Sequence, residues 1–550
     1  MVQVTKHSDT HEVFNQPTPL EHYNAYASDL ILQHYVYAFS GDWGDDALSE
    51  YGRLVGNELQ TAGFDANHYK PEFQSHDRFG HRIDFVKYHP AYHQLMTAAI
   101  KAGHHNLPWV NNRAGAHVVR AGIEYLHTQA DPGSGCPLTM TFSSVPTIRH
   151  QENIAKAWLP GITANIYDPR DIPFYEKQGL TIGMAMTEKQ GGSDVRSNTT
   201  YAYPLEIAGP GNPYELIGHK WFCSAPMSDA FLVLAKTDPG LSCFLLPRWR
   251  PDGSKNAMHI QRLKNKMGNV SNASSEVEYR NAFAWMIGEE GHGIRTILEM
   301  VAMTRFDCMI GSSSIMGLAS AQALHHASGR SVFGRNLHEQ PLMQNVLSDL
   351  AVEAEAALAI SMRLAHALDN DEESEQLLFR IGTAIGKYWI CKRAAQHTYE
   401  AMECIGGVAV VEDNVLARLY RESPINAIWE GSGNIQCLDV TRAIEKNPNV
   451  LEVFLMELDK ATNYIERYDG ELNAFKQSLM TKNNNEHILR RQVEKMALLW
   501  QASTLIQFSD EKIAGAFVSS RISQDHGYMY GTLPEHIAFR DIMDRAKPKV

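Results

Sequence analysis

One carboxylate in this sequence stands where its neighbours could make it a base. Glu430 lies in Asn426-Ala-Ile-Trp-Glu-Gly-Ser-Gly-Asn-Ile-Gln436, between an aromatic residue and a flexible Gly-Ser-Gly turn that enters a helix at Ile435. A carboxylate on such a loop can be partly desolvated, which raises its pKa toward the range of a general base. Taken alone, the segment also reads as a surface Glu in a helix-initiating turn. A second segment, Ala185-Met-Thr-Glu-Lys-Gln-Gly-Gly-Ser-Asp-Val-Arg-Ser197, directly follows a strand-like run. Two adjacent glycines let backbone approach a ligand closely, and Thr187 and Ser193 add hydroxyls, so N–H groups could meet a phosphate or a polar ring edge. By itself it reads equally well as a polar turn between strands. It is neither a Walker loop nor a G-x-G-x-x-G fingerprint.

Other residues offer less. His89 and His93 are spaced to share a metal on a helix, but Pro90 follows directly and no H-E-x-x-H occurs, so no metal site is expected. The pairs His104-His105 and His325-His326 point to different helix faces and suggest no site. Trp285 and Trp500 read as core aromatics, and Arg490-Arg491 as a solvated helix face. Seven scattered cysteines without a C-x-x-C pair suggest neither a disulfide framework nor a zinc site. The first ten residues lack the apolar stretch of a secretory signal, and no apolar run reaches the roughly 18 residues of a membrane span. A reducing, soluble compartment is expected, with the cytoplasm as default. A net charge of −13 disfavours phosphate backbones unless a local basic patch forms.

The elements that must position these residues follow from periodicity. At 550 residues the chain exceeds what one core holds. Residues 20 to about 180 read mostly as helices broken by polar loops, with Pro-Gly punctuation at Asp131–Pro137 and turn chemistry at Asp168–Pro173. Short apolar or alternating runs at Thr181–Met186, Tyr214–Phe222, Phe231–Leu234, Cys243–Leu246 and Ser275–Tyr279 predict a small all-β insert. Helical spacing returns at Ile294 and runs to Ala327, then at 341–368, 374–404 and 436–446. Two more helices are predicted at Val450–Arg467 and Glu486–Phe508, with a polar loop at 480–485. The expected division is a helical domain at 1–180, a β domain at 181–285, a helical bundle at 286–446 and a helical extension at 447–550.

Taken together, the motifs resemble the acyl-CoA dehydrogenase family. Ala185–Ser197 matches one family signature without a mismatch. Glu403–Glu422, whose helix ends at Gly406-Gly407, leads into Asn426–Gln436 and matches the other, except that Ala409 stands where glycine is usual. Gly218-His-Lys-Trp-Phe-Cys-Ser224 resembles the strand that flanks the flavin ring, and Gly288–Gly293 the turn that opens the first long C-terminal helix. Arg330-Ser-Val-Phe-Gly334 resembles the segment that reaches the FAD of a neighbouring subunit, though Pro341 stands where the family has glutamine, with Gln340 just before it. Within the family the likeness is strongest to the AidB-like, alkylation-response branch, through His11–Leu20, Thr187–Thr200, Met303–Cys308 and Trp429–Ile435. It covers the chain to about residue 445.

The resemblance implies a mainly α fold with a central β domain: an N-terminal helical domain, a β-barrel-like middle, a C-terminal four-helix bundle and a helical extension. It implies FAD contacts from Met184, Ala185, Met186, Thr187, Gly192 and Ser193, and from Phe222, Cys223 and Ser224. Ile428, Trp429, Gly431, Ser432, Gly433, Asn434 and Gln436 would add contacts around the base, and Arg330 and Phe333 across a subunit boundary. Thr304 and Arg305 would line the substrate pocket. In such proteins a glutamate removes the α-proton of an acyl-CoA thioester while the β-hydrogen leaves as hydride to flavin N5. Glu430 matches that base. Some branches place it just before an arginine on a preceding helix, but Thr304 stands there and cannot act at neutral pH. A homotetramer is implied as well. The branch brings a second reading, a flavoprotein that binds duplex DNA through its C-terminal region and has weak dehydrogenase activity. Residues 451–550 carry no basic excess, although Arg442, Arg521, Arg540, Arg545, Lys547 and Lys549 could cluster. A long-chain acyl-CoA binder is the third reading.

Overall fold

Stretches with apolar residues at helical spacing form helices at both ends of the chain, and short alternating runs form strands between them. The computed structural model describes residues 10–480 and 485–550. Helices α1 (Leu30–Ser40), α2 (Asp45–Val55) and α3 (Glu58–His68) precede a hairpin of β1 (Glu72–His76) and β2 (Arg82–Lys87). Then come α4 (Pro90–Lys101), α5 (Leu107–Val110), α6 (Ala116–Ala130), α7 (Pro132–Arg149) and α8 (Glu152–Ile162). The sheet contains β3 (Ile182–Ala185), β4 (Tyr201–Pro204), β5 (Pro213–Ser224), β6 (Ala230–Thr237), β7 (Gly240–Pro247), β8 (Met258–Leu263) and β9 (Ser274–Ile287). Helix α9 (Gly293–Gly329) leads to a small hairpin of β10 (Ser331–Val332) and β11 (Arg335–Asn336), then to α10 (Pro341–Leu368) and α11 (Glu373–Ile405). The base motif lies among α12 (Val415–Glu422), α13 (Ile425–Ile428) and α14 (Gly433–Lys446). The chain finishes with α15 (Asn449–Asp459), α16 (Glu466–Met480), α17 (Leu489–Phe508), α18 (Glu511–Phe517) and α19 (Phe539–Ala546).

Neighbouring strands close a ring, β6–β4–β5–β9–β7 and back to β6, with β3 and β8 added outside it. Strand β6 shows why it is nearly all apolar. Phe231, Val233 and Ala235 face one core, whereas Ala230, Leu232 and Leu234 face a second one shared with α7, α8 and the start of α9. Both faces are covered, so simple polar alternation disappears. Helix α9 has 37 residues and is roughly 55 Å long. Its first turns pack Ile297, Met300 and Val301 on the sheet, its middle puts Phe306, Met309 and Ile310 into the main core, and Leu318 to Ala327 enter a third. Helices α9, α10, α11 and α14 pack side by side as the bundle.

Two sequence expectations are corrected, those on Asp131–Pro137 and on Val450–Arg467. The segment 20–180 contains the β1–β2 hairpin as well as helices. Asp131–Pro137 is a helix start: Asp131 accepts the Ser134 N–H, and Pro132 occupies the first turn, where its missing N–H costs nothing. Val450–Arg467 is interrupted after Asp459, with α16 beginning at Glu466. His104 is fully buried and pairs with Glu124, because every residue of α6 is buried and its polar side chains need partners. Arg120 of α6 bonds both carboxylate oxygens of Asp307 on α9, and His127 joins Tyr51 to Ser134. The polar loop expected at 480–485 falls on 481–484, outside the described residues, as does most of the N-terminal stretch. Strands β4 and β8 and helices α16, α18 and α19 went unread.

The extension docks through ion pairs. Arg363 bonds Glu457 and Glu375, Arg521 bonds Asp349 and Glu353, and Arg545 bonds Glu355 in a bidentate pair. Among the described residues no helix is long and apolar enough to cross a membrane. Replacing one partner of a buried pair strands the other charge, which costs about 3–5 kcal/mol. Asp307→Asn is therefore expected to lower the Tm by several degrees in a thermal melt, whereas the exposed pair partner Glu58→Gln leaves it unchanged.

Candidate active site

The base motif is a loop whose backbone is held in an unusual shape. Glu430 has φ +56° and Gly431 has φ +92°. A left-handed conformation at a non-glycine residue costs on the order of 1–3 kcal/mol and needs support around it. That support comes from three side chains. Lys387 of α11 is buried and donates to the carbonyls of Asn426, Trp429 and Gly431 at 3.0, 2.8 and 2.9 Å. Arg305 Nε donates to the Glu430 carbonyl at 2.9 Å, and Gln436 Nε2 donates to those of Glu430 and Gly431. Arg305 is itself fixed by Asp439, which Arg380 also grips. A side chain at Gly431 would meet Gln436 Nε2 at 2.8 Å, so only glycine fits there.

With its backbone pinned, the Glu430 carboxylate points toward Thr304. Thr304 Oγ1 lies 2.9 Å from Glu430 Oε2 and 3.1 Å from the Val301 carbonyl, and its single proton favours the charged acceptor. Burial pushes the Glu430 pKa above the usual carboxylate range, while the Thr304 bond and the Arg305 and Lys387 charges pull it back. Its surface is still partly accessible, so a proton can reach it.

The glycine loop faces the same region. Met184 and Ala185 are buried in β3, and Met186 and Trp429 pack on the core that holds Met184, Met300 and Val301. Beneath the loop, the fully buried pair Glu188–Lys220 ties it down. Glu188 accepts from Lys220 Nζ, from the Thr199 hydroxyl and from the N–H groups of Thr199 and Thr200. Lys220 and hydrogen bonds hold the Glu188 pKa well below the usual range, and burial draws Lys220 down to about 8. Above, the N–H groups of Gly192 and Ser193 donate to no acceptor among the described residues. A side chain at Gly192 would strike Thr187 Oγ1 at 2.5 Å, and Gly191, at φ +152°, borders open space. On β5 the side chains alternate: Phe222 is 45% exposed and Ser224 partly exposed on the cleft side, while Cys223 is buried on the other. Cys223 can therefore offer such a ligand no side-chain contact.

An exposed aromatic, free loop N–H groups, hydroxyls and a glycine cradle suit a planar heteroaromatic group with polar edges, so these residues fit a flavin. Ile428, Ser432 and Asn434 are exposed on the base loop, and Gly433 opens α14. Arg330 and Phe333 are not brought here. They lie at the far end of α9, roughly 37 Å from Arg305 at 1.5 Å per residue, on a hairpin whose Phe333 is 97% exposed. Gln340 instead bonds the Val332 carbonyl, and Pro341 starts α10. His89 caps α4, and His93 bonds Tyr167. All seven cysteines are buried and unpaired. Sequence reading missed Lys387, Lys220 and Asp439. A lysine inside the apolar run Ile385–Cys391 was the available signal for a buried, partnered charge.

Comparison with known proteins agrees with this arrangement. Residues 15–169 match the AidB N-terminal domain, 183–282 the acyl-CoA dehydrogenase middle domain and 291–445 the acyl-CoA dehydrogenase C-terminal domain. The chain is 43% identical over 515 residues to AidB of Escherichia coli (strain K12), covering 93% of this chain and 94% of that protein. The chain belongs to the acyl-CoA dehydrogenase family, in its AidB branch, and FAD is the family's cofactor. Among solved structures, Caenorhabditis elegans ACDH-11 in complex with C11-CoA superposes with a TM-score of 0.85 at 22% identity, covering 99% of this chain and 98% of that one. An acyl-CoA dehydrogenase complexed with FAD from Bacillus anthracis gives 0.64 at 17% identity, over 98% and 90%.

Lys387→Met keeps the volume but leaves the Asn426 and Trp429 carbonyls without their donor, at about 1–3 kcal/mol for each one left unsatisfied, while Gly431 keeps its bond from Gln436. Hydrogen exchange across residues 425–436 is expected to accelerate at least tenfold, with exchange in β5–β9 unchanged.

Proposed function

We propose that this protein is an FAD-dependent acyl-CoA dehydrogenase-type enzyme that introduces an α,β double bond into an acyl-CoA thioester, with Glu430 as the base. The observation that carries this reading is the Glu430 carboxylate itself, bonded by Thr304 on a loop whose backbone Arg305 helps to pin, and pushed by burial toward basicity. FAD, when bound, supplies the acceptor for the β-hydride. Phe222 and Ser224 would flank its ring from β5, the Thr187–Ser193 loop would hold its polar edge, and Trp429 with Gly431–Gln436 would close the other side. Glu430 would take the α-proton onto a carboxylate oxygen, and the apolar wall of Met184, Met300, Val301 and Trp429 would keep water from that proton.

The reading extends to assembly. The exposed Phe333 and its neighbour Arg330 lie too far from Glu430 to serve the same site, which supports contact with a second copy in a homotetramer. A C11-CoA ligand in the C. elegans relative supports acyl-CoA as the substrate class. The DNA reading gains nothing comparable. Arg521 and Arg545, two of its six candidate cations, are bonded to Asp349, Glu353 and Glu355, and Lys549 donates to the Asp544 carbonyl.

Anaerobic titration with acyl-CoAs of varied length tests the proposal. Wild type should lose its flavin absorbance with at least one chain class, and Glu430→Gln should retain FAD yet bleach at least 1,000-fold more slowly; equal rates would refute the base. The base must be ionised, so the bleaching rate should rise with pH through an apparent pKa above 4.5. Thr304→Ala removes a bond to the ionised form and should move that limb to higher pH.

A further inference from the structure

A buried lysine is wired to a partly exposed hydroxyl two residues along β5 from Phe222. Ser224 and Ser274 are directly opposite partners in the antiparallel pairing of β5 and β9, and their Oγ atoms lie 2.9 Å apart. The loop from β8 to β9 folds Lys266 over Ser274. Its Nζ lies 2.8 Å from Ser274 Oγ, 2.9 Å from the Asn272 carbonyl and 3.2 Å from Asn269 Oδ1. An ammonium has three protons, and these three acceptors use them all. Lys266 makes no ion pair among the described residues. The carboxylates that act on it, Asp131 and Glu422, are bonded elsewhere, Asp131 to Asn67, Ser134 and Ser271 and Glu422 to the Asn269 N–H.

These facts set a direction. Ser274 accepts from Lys266, and its own proton has no acceptor among the described residues except Ser224 Oγ. Ser224 therefore receives a hydrogen bond from behind, and its own proton is left for the Cys136 sulfur, a weak acceptor beside it, or for a better acceptor on the exposed side of β5. Cys136 of α7, beside Ser224, lies within reach of both the Lys266 charge and the Glu430 carboxylate, so these groups share one region. The thiol is pushed up to about 12 by burial, so it adds no charge of its own. Burial draws Lys266 down to about 8, which leaves it mostly ammonium at neutral pH.

We infer that Lys266, acting through Ser274, is a positioning residue that fixes Ser224 as a hydrogen-bond donor into the cleft and raises the electron affinity of the ring held against Phe222. The inference rests on the flavin reading above. A donor and a positive charge behind it favour the more electron-rich, reduced form of a bound flavin. Lys266 touches neither ligand nor substrate, so its effect belongs in the potential rather than in binding.

The test is a dye-coupled potentiometric titration of the purified holoprotein, with FAD content measured first. Lys266→Met and Ser274→Ala should each keep FAD at the wild-type ratio and shift its midpoint potential to more negative values. The double variant should shift no further than Lys266→Met alone, because both act on one chain of bonds. An unchanged potential in Lys266→Met, or additive shifts in the double variant, overturns the relay. Should Lys266→Met not fold, Ser274→Ala, which removes one oxygen, decides alone: an unchanged potential overturns the relay. A wild-type chain that neither carries nor takes up FAD overturns the flavin reading and the relay together, before any variant is made.

Discussion

Everything at the candidate site depends on a backbone turn that the chain would not adopt unaided. Glu430 sits in the left-handed region, and the carbonyls of residues 426 and 429–431 converge on donors from three helices, of which α14 directly follows the loop. Lys387 comes from α11 and Arg305 from α9, so the base is positioned by the packing of the bundle rather than by its own loop. Charged donors suit this task. Each is roughly twice as strong as a neutral one and supports a conformation that costs a few kcal/mol. The same charges also temper the basicity of Glu430, which burial alone would drive higher. Position and proton affinity are therefore set by one group of side chains.

The opposite wall follows a related rule. Under the glycine loop, Glu188 and Lys220 form a fully buried pair whose remaining capacity is filled by the backbone of residues 199, 200 and 234. A buried pair of this kind adds little net stability, but it fixes where the loop must lie. Pinned walls on both sides leave the flexible elements few. The glycine turn keeps the Gly192 and Ser193 N–H groups free of any acceptor among the described residues, and Ser432 and Asn434 are exposed on the base loop.

Much of this was legible beforehand, and for a physical reason. The long helices α9, α10 and α11 follow apolar spacing closely, and the two motifs concentrate residue types that only special backbone geometry needs. Glu430, Thr187 and Gly192 were named from those motifs, Phe222 and Ser224 from the family resemblance, and Met186 and Trp429, one from each motif, pack on one apolar core. Residues that act through tertiary contact were not legible. Lys387, Asp439 and Lys266 have ordinary local surroundings, and their roles appear only when elements far apart in sequence meet. Asp131–Pro137 was misread because turn-forming residues can also begin a helix whose burial outweighs propensity. Strand β4 spans only four residues, too short for a period to be recognised.

Helix α9 contributes side chains to all three apolar cores. A shared beam of this kind couples regions that would otherwise melt separately. Loosening the sheet frees the first turns of α9 and with them Thr304, and loosening the bundle's far end disturbs the same rod from the other side. The contact between Thr304 and Glu430 therefore depends on packing at both ends of one rod.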